Sequence, residues 1–461
     1  MRTLAGWLGP WRPQGATANR LGVVLTASLA WNVLLVLDGN TVVGATAAGL
    51  VATVAAYPAL ALWIATALRN PGVSGIGTWL GRRVLSISRP LLLVTVAVAL
   101  IQVPSLLSPR AHVIDDVTPS VICASRDVLQ GRDPYQTPEL LCLHRLHISA
   151  IAGTPLRAGQ FANLSRYPTP AQMRAVARAA SAQGYRTVSF AEFGYPPMSF
   201  VWMLPVASFG RDWWVIWTLL AALAFVVGMG LAARQWWPAV VTIALLQWGS
   251  GSALSAATQG DAEFFAFALM AASLFLVDRP RLSAGALGLA AASNPLAWFL
   301  VPAYLVFTAR LPGWRQRVGW MVGVAAAAVL PWVLIYPGTI SGVLSLILQP
   351  TFAFGIGLTA LNVVQPLTPL LPKAFYFGAL AAAEAGVLII SGWSRRLAAI
   401  APAMAVPLLW LSWRSEANYL GQLPLLACAM VVGLERLGWT AWRSPAPHRT
   451  QEPELAAGSG L

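Results

Sequence analysis

Apolar residues in this chain gather into long runs separated by polar stretches, without the strict alternation of half-buried strands as a dominant rhythm. The runs fall at about 21–37, 42–68, 90–107, 196–209, 213–233, 236–250, 262–277, 282–309, 318–336, 374–391, 397–412 and 419–437. A helix crosses a bilayer with roughly 20 apolar residues, so the pattern predicts an all-α polytopic membrane protein of about 11–13 transmembrane helices. Two runs depart from a simple span. The stretch 196–209 holds 14 residues, too few to cross alone. The stretch 282–309 contains Asn294-Pro295. Proline brings no amide donor and is expected to split that run into two shorter helices. No repeat of fixed period is visible, which argues against an inverted-repeat transporter.

The longest polar interruption, 108–195, is more than a spacer. Thr118 to Gln130 and Pro170 to Gln183 have helix-compatible periodicity, and each opens on a Thr-Pro step. Arg174 and Arg178 lie four apart. Both segments are expected to be amphipathic helices on the bilayer surface. Directly after the third run stands His112-Val113-Ile114-Asp115-Asp116. Adjacent carboxylates point in different directions on a helix, so one of the pair at most is expected to face a site.

Composition sharpens the class. Of 461 residues 57% are hydrophobic and 10% charged, against about a quarter charged in soluble domains, and mean hydropathy is +0.66. This excludes an ordinary soluble enzyme, and 21 tryptophans exclude disorder. The net charge of +14 could point to nucleic acid. In a membrane protein it reads instead as basic loops on the cytoplasmic side, so the expected partner is the bilayer and no nucleic acid. Lys373 is the only lysine. The first residues lack a separate apolar core and cleavage site, so no removed signal peptide is expected.

Arginines set the orientation. Arg2, Arg12 and Arg20 place the start of the chain inside, as do Arg69, Arg82, Arg83 and Arg89 for the loop after the second span. Residues 108–195 then fall outside a plasma membrane. Two topologies remain for 196–281: either 196–209 is a juxtamembrane or re-entrant piece, or 250–261 is cytoplasmic. In the first, the outer face collects the 108–195 loop, Gln259-Gly260-Asp261, Asn294, the 337–372 segment and Arg414 to Tyr419. Polar residues gathered at one interface point to a site reached from the outer leaflet. The chain divides into 1–89 (a cytosolic segment and two extra helices), 90–438 (the main transmembrane module) and 439–461 (a tail expected to be disordered).

An acidic residue after a span, then a helix, then Gly131-Arg132-Asp133-Pro134-Tyr135 resembles the first external loop of the GT-C glycosyltransferases. The resemblance is in particular to the glycosyltransferase family 87 pattern of polyprenyl-phosphate-mannose-dependent mannosyltransferases. Asp116 precedes Gly131 by 15 positions, close to the family spacing but not identical to it. Tyr195-Pro196-Pro197, Thr258-Gln259-Gly260-Asp261, Ala284-Gly285 to Asn294-Pro295, and Asn418-Tyr419 before Leu423-Pro424 follow in the family order, over roughly residues 90–437. Two positions depart from it. Gly260 stands where the family often has Asn, and Asn294 where it often has a lysine, which would shift a phosphate-binding role to arginine or mean a different donor.

The resemblance implies a GT-C-like bundle and transfer of a sugar, mannose above all, from a polyprenyl-phosphate donor. The acceptor would be an envelope glycolipid or polysaccharide hydroxyl, attacking with inversion and with no further cofactor and no metal. A carboxylate must take the acceptor proton, and fixed positive charge must meet the leaving phosphate. Asp116, with Asp115 as understudy, is the candidate base; either reads equally as a solvated turn or a helix cap. Asp261, or Glu263 beside it, is a candidate sugar contact or a cap on the 262–277 helix. Arg414 suits an oxyanion but also an interfacial anchor. Gln259, Asn294, Tyr195 and Tyr419 complete the candidate binding set, the tyrosines reading also as an interfacial belt.

Other signals are separate from that set. Glu384 lies within the 374–391 run, where a carboxylate is a functional candidate or a buried hydrogen-bonding group, and it would serve a second reading, a lipid or polyisoprenoid transporter without catalysis. His144 and His147 have ligand spacing but no compact third partner. Cys123 and Cys142 share the outer loop and either pair or stay reduced. Cys428 is expected simply to pack.

Overall fold

The computed structural model describes residues 15–37, 47–70, 76–106, 117–137, 142, 146, 156–157, 159–164, 168–183, 193–247, 257, 260–352, 354–355, 357–359, 372–415 and 417–438. They form a helical protein. The helices are α1 (Ala16–Leu37), α2 (Ala47–Arg69), α3 (Ile76–Ser86), α4 (Ser88–Leu106), α5 (Val117–Leu129), α6 (Pro170–Gln183), α7 (Met198–Val201), α8 (Arg211–Ala232) and α9 (Trp237–Leu246). They continue with α10 (Glu263–Phe275), α11 (Pro280–Ser293), α12 (Leu300–Thr308), α13 (Trp314–Ile335), α14 (Thr339–Leu348), α15 (Lys373–Trp393), α16 (Arg395–Leu408), α17 (Ala417–Leu420) and α18 (Leu423–Arg436). Two-residue strands β1 (Phe354–Gly355) and β2 (Arg414–Ser415) pair in parallel.

Helices that are apolar on every side end up in the middle. Residues Leu423 to Leu434 of α18 are all buried, and α10 is buried along nearly its whole length. The two touch so closely that a Cβ at Gly433 would stand 2.2 Å from the Leu274 carbonyl oxygen. Around them α8, α13 and α15 keep one face outward. These three, Arg211–Ala232, Trp314–Ile335 and Lys373–Trp393, are long and apolar enough to cross a membrane, and α3 with α4, bent by 67°, would make a fourth.

Among the described residues that number is well below 11–13 spans, and prolines and polar breaks supply much of the reason. The 282–309 run breaks at Asn294-Pro295, as its proline predicts, into α11, a 3₁₀ turn at Pro295–Phe299, and α12. Helices of 14 residues such as α11, α16 and α18 extend about 21 Å, short of a hydrocarbon core of about 30 Å. The stretch 196–209 is no span either: α7 is four residues long and passes into turns through Ser208.

The two helices of the 108–195 loop differ from expectation. Neither simply lies on a surface. In α5, Val117 to Ser125 are all buried. Ser125 Oγ donates to the Phe200 carbonyl at 2.9 Å and Arg126 Nε to the Ala207 carbonyl at 2.6 Å, so α5 grips the 196–209 segment. On α6, Met173 and Val176 cluster with Phe161 and Phe352, leaving Arg174 and Arg178 exposed. A helix's apolar side serves protein or lipid alike, and here protein is its partner. Thr169 and Gln172 form a reciprocal capping pair at the start of α6. Cys123 and Cys142 form a disulfide; Cys428 is buried and free.

Candidate functional site

Four of the eight candidate residues line one cavity of about 170 Å³: Tyr195, Asn294, Arg414 and Tyr419. They come from three separate stretches of the chain, Arg414 and Tyr419 sharing one. Its wall is completed by Glu263 at the start of α10, by Leu346 and Ile347 at the end of α14, by Tyr376, Phe377 and Leu380 on α15, and by Ser412 and Trp413. Asp261 is close in sequence but is not part of the wall. Asp115, Asp116 and Gln259 lie outside the described residues.

Each polar group is placed by a local device. Asn294 sits in the break between α11 and α12, its backbone extended by the following proline. Its side-chain oxygen accepts from the Leu296 amide at 2.9 Å, and its nitrogen donates to Glu263 Oε1 at 3.1 Å. The break therefore aims one amide at one carboxylate. Glu263 and Asn294 are 3% and 4% exposed; a carboxylate so removed from water needs such donors. Asp261 Oδ1 accepts from the Glu263 amide at 2.8 Å and so fixes the first turn of α10, the capping role open to it in the sequence. Gly260 has φ +77°, and a Cβ there would meet the Val215 nitrogen at 3.1 Å. Both features favour glycine at that turn.

The Gly131 to Tyr135 motif reaches the cavity through the backbone of Tyr195. Gly131 has φ +71°. Arg132 pairs with the buried Asp127, and Asp133 Oδ1 accepts from the Tyr135 amide at 2.9 Å. Tyr135, 3% exposed, donates its hydroxyl to the Tyr195 carbonyl at 3.0 Å. Burial, reinforced by Asp133, holds that phenol above its ordinary range, so it remains a donor at neutral pH. Gly342 makes room for the ring: a Cβ there would stand 2.4 Å from Tyr135 Cδ1.

Elsewhere in the wall, β1–β2 pairing sets Arg414 beside Phe354, and Ser412 Oγ donates to the Arg414 carbonyl. Lys373, at the start of α15, donates to the carbonyls of Gln349 (2.8 Å) and Ile347. Its ammonium lies 4.1 Å from the centre of the Trp413 ring and 5.5 Å from that of Phe377. Arg414 is close enough to act on it electrostatically. One lysine thus ties α14, α15 and the 412–414 wall together and places a second cation next to Arg414. Phe377 and Trp298 line the cavity while 39% and 37% exposed, marking its open side.

No family model, curated protein or solved structure matches the chain. What the cavity binds is argued from its own chemistry. Its lining holds a carboxylate and an amide that bond hydroxyls and a guanidinium that suits oxyanions, among aromatic and aliphatic side chains.

Lys373 and Trp413 were not among the sequence candidates, and Glu263 was only an alternate to Asp261. A lone lysine in 461 residues was the available signal for the first; the others depend on long-range contacts. Among the described residues no group of three or more His, Cys, Asp or Glu could hold a metal ion. His144 and His147 lie outside them.

Proposed function

We propose that the protein is a membrane glycosyltransferase. It moves a sugar, mannose by the resemblance to glycosyltransferase family 87, from a polyprenyl-phosphate donor to a hydroxyl of an envelope glycolipid or polysaccharide on the outer face, with inversion. A GT-C-like arrangement of about 11–13 membrane passages belongs to the same proposal. The observation that carries it is the joining of Tyr195, Asn294, Arg414 and Tyr419 around one cavity whose wall also holds the Glu263 carboxylate.

In this reading the donor phosphate lies against Arg414, with Lys373 adding to the local positive charge. The sugar hydroxyls meet Glu263 and Asn294, and the prenyl tail leaves past Phe377 and Trp298 into lipid. The acceptor hydroxyl attacks the anomeric carbon, its proton passes to a carboxylate, and the bond to the donor phosphate breaks with its electron pair on the phosphate oxygen. Asp116, with Asp115 beside it, is the proposed base. The Cys123–Cys142 disulfide supports placing the loop outside, where thiols oxidise.

The test is transfer by purified protein from a polyprenyl-phospho-mannose donor to extracted envelope glycolipid. Asp115→Asn with Asp116→Asn should lower turnover at least about a hundredfold while the protein stays folded. Unchanged product would sink the catalytic assignment. A transporter without catalysis would give no product in the wild type and would depend instead on groups such as Glu384, which has one buried oxygen without a hydrogen-bond partner among the described residues.

A further inference from the structure

The bend between α3 and α4 lies away from the cavity and outside the proposed chemistry. A 67° turn separates the described part of α3, Thr78–Ser86, from Ser88–Ile101 of α4, so if α4 runs through the bilayer, α3 lies closer to its plane. The inner face of α3 is fully occupied. Gly81 meets Gly22 of α1 so closely that a Cβ on Gly22 would stand 2.4 Å from the Gly81 carbonyl oxygen, and Leu85 is buried. Its other side presents Trp79, 55% exposed, with Leu80, Arg82 and Arg83 also exposed. The Arg83 guanidinium stands 5.6 Å from the centre of the Trp79 ring.

Charge selects the occupant of this face. Between residues 39 and 107 the chain carries Arg69, Arg82, Arg83 and Arg89 and no Asp or Glu. A hydrocarbon neighbour would reject the two exposed guanidinium groups. Water alone would leave Trp79 and Leu80 without apolar contact. The headgroup layer satisfies both: tryptophan sits at that level, and arginine stems lie along apolar surface while their heads reach phosphate.

We propose that α3 is a headgroup-seated helix whose Trp79, Arg82 and Arg83 face binds anionic phospholipid of the bilayer. Each arginine near an anionic surface is worth about fivefold in binding, so the two together give a preference of about 25-fold over zwitterionic lipid.

The test reconstitutes the full chain in nanodiscs of phosphatidylcholine with a minority of phosphatidylglycerol, and counts each retained lipid by native mass spectrometry. Wild type should retain phosphatidylglycerol preferentially, and Arg82→Gln with Arg83→Gln should lose about 25-fold of that preference. Arg82→Lys with Arg83→Lys, which keeps the charge, should behave as wild type and shows that exposed substitutions leave the fold intact. Equal retention of the two lipids by wild type, or an undiminished preference in the Gln pair, overturns the proposal. A Lys pair that loses as much as the Gln pair overturns it as well.

Discussion

Glu263 owes its position to a proline one place beyond its partner. Pro295 forces the chain out of the helix, Asn294 becomes extended, and its amide reaches the Glu263 carboxylate at 3.1 Å. Asn294→Leu removes that donor and leaves a buried carboxylate short of one bond, costing about 1–3 kcal/mol; Tm in detergent should fall, and transfer with it. Glu263→Gln keeps the shape and loses the charge, so its main effect should be on transfer rather than on Tm. Equal losses of Tm in both variants would make Glu263 a structural group only. Tyr135→Phe tests the opposite support. It deletes the bond to the Tyr195 carbonyl and should lower stability by about 1 kcal/mol. Because the phenol's pKa is raised in the fold, its contribution is complete below the ordinary tyrosine value near 10 and is lost as pH rises through the raised one. The difference in Tm between wild type and Tyr135→Phe should therefore stay level from pH 7 to about 9.

Among the elements, those set by local chemistry were legible in the sequence and those set by distant partners were not. Asn294-Pro295 announced the break between α11 and α12, and the shortness of 196–209 announced that it does not cross. The periodicity of 118–130 announced a helix but could not tell a lipid surface from the 196–209 segment that α5 grips. Four cavity residues were legible as an ordered series of motifs. Their convergence with Lys373 and Trp413 was not, because it depends on the end of α14 meeting the start of α15. Close helix approach gives a direct test of the core. Gly433→Ala puts a Cβ where the Leu274 carbonyl stands and should cost about 1–3 kcal/mol. Gly319→Ala on α13, where a Cβ meets nothing within 4 Å, should leave Tm unchanged or raised. Equal shifts in the two variants would contradict the packing of α10 on α18.

At the scale of the whole molecule, central helices apolar on all sides and outer helices with exposed faces describe a protein built for lipid. Trp314–Ile335 and Lys373–Trp393 keep only 6% and 17% of their most apolar windows buried. The disulfide from α5 to Cys142 stands 19 residues across; closing a loop of that length is worth about 3 kcal/mol. Cys123→Ser with Cys142→Ser should lower Tm accordingly, and the outer-face orientation requires both thiols to be oxidised in protein taken directly from cells. The central claim is that the cavity joins a lipid phosphate at Arg414 to a sugar at Glu263 and Asn294. Its most direct test is mass analysis of lipid extracted from gently purified wild type and from Arg414→Gln. The account predicts a polyprenyl phospho-sugar in the wild type and its loss from the variant. The same ordinary phospholipids in both, with no phospho-sugar in either, would contradict it.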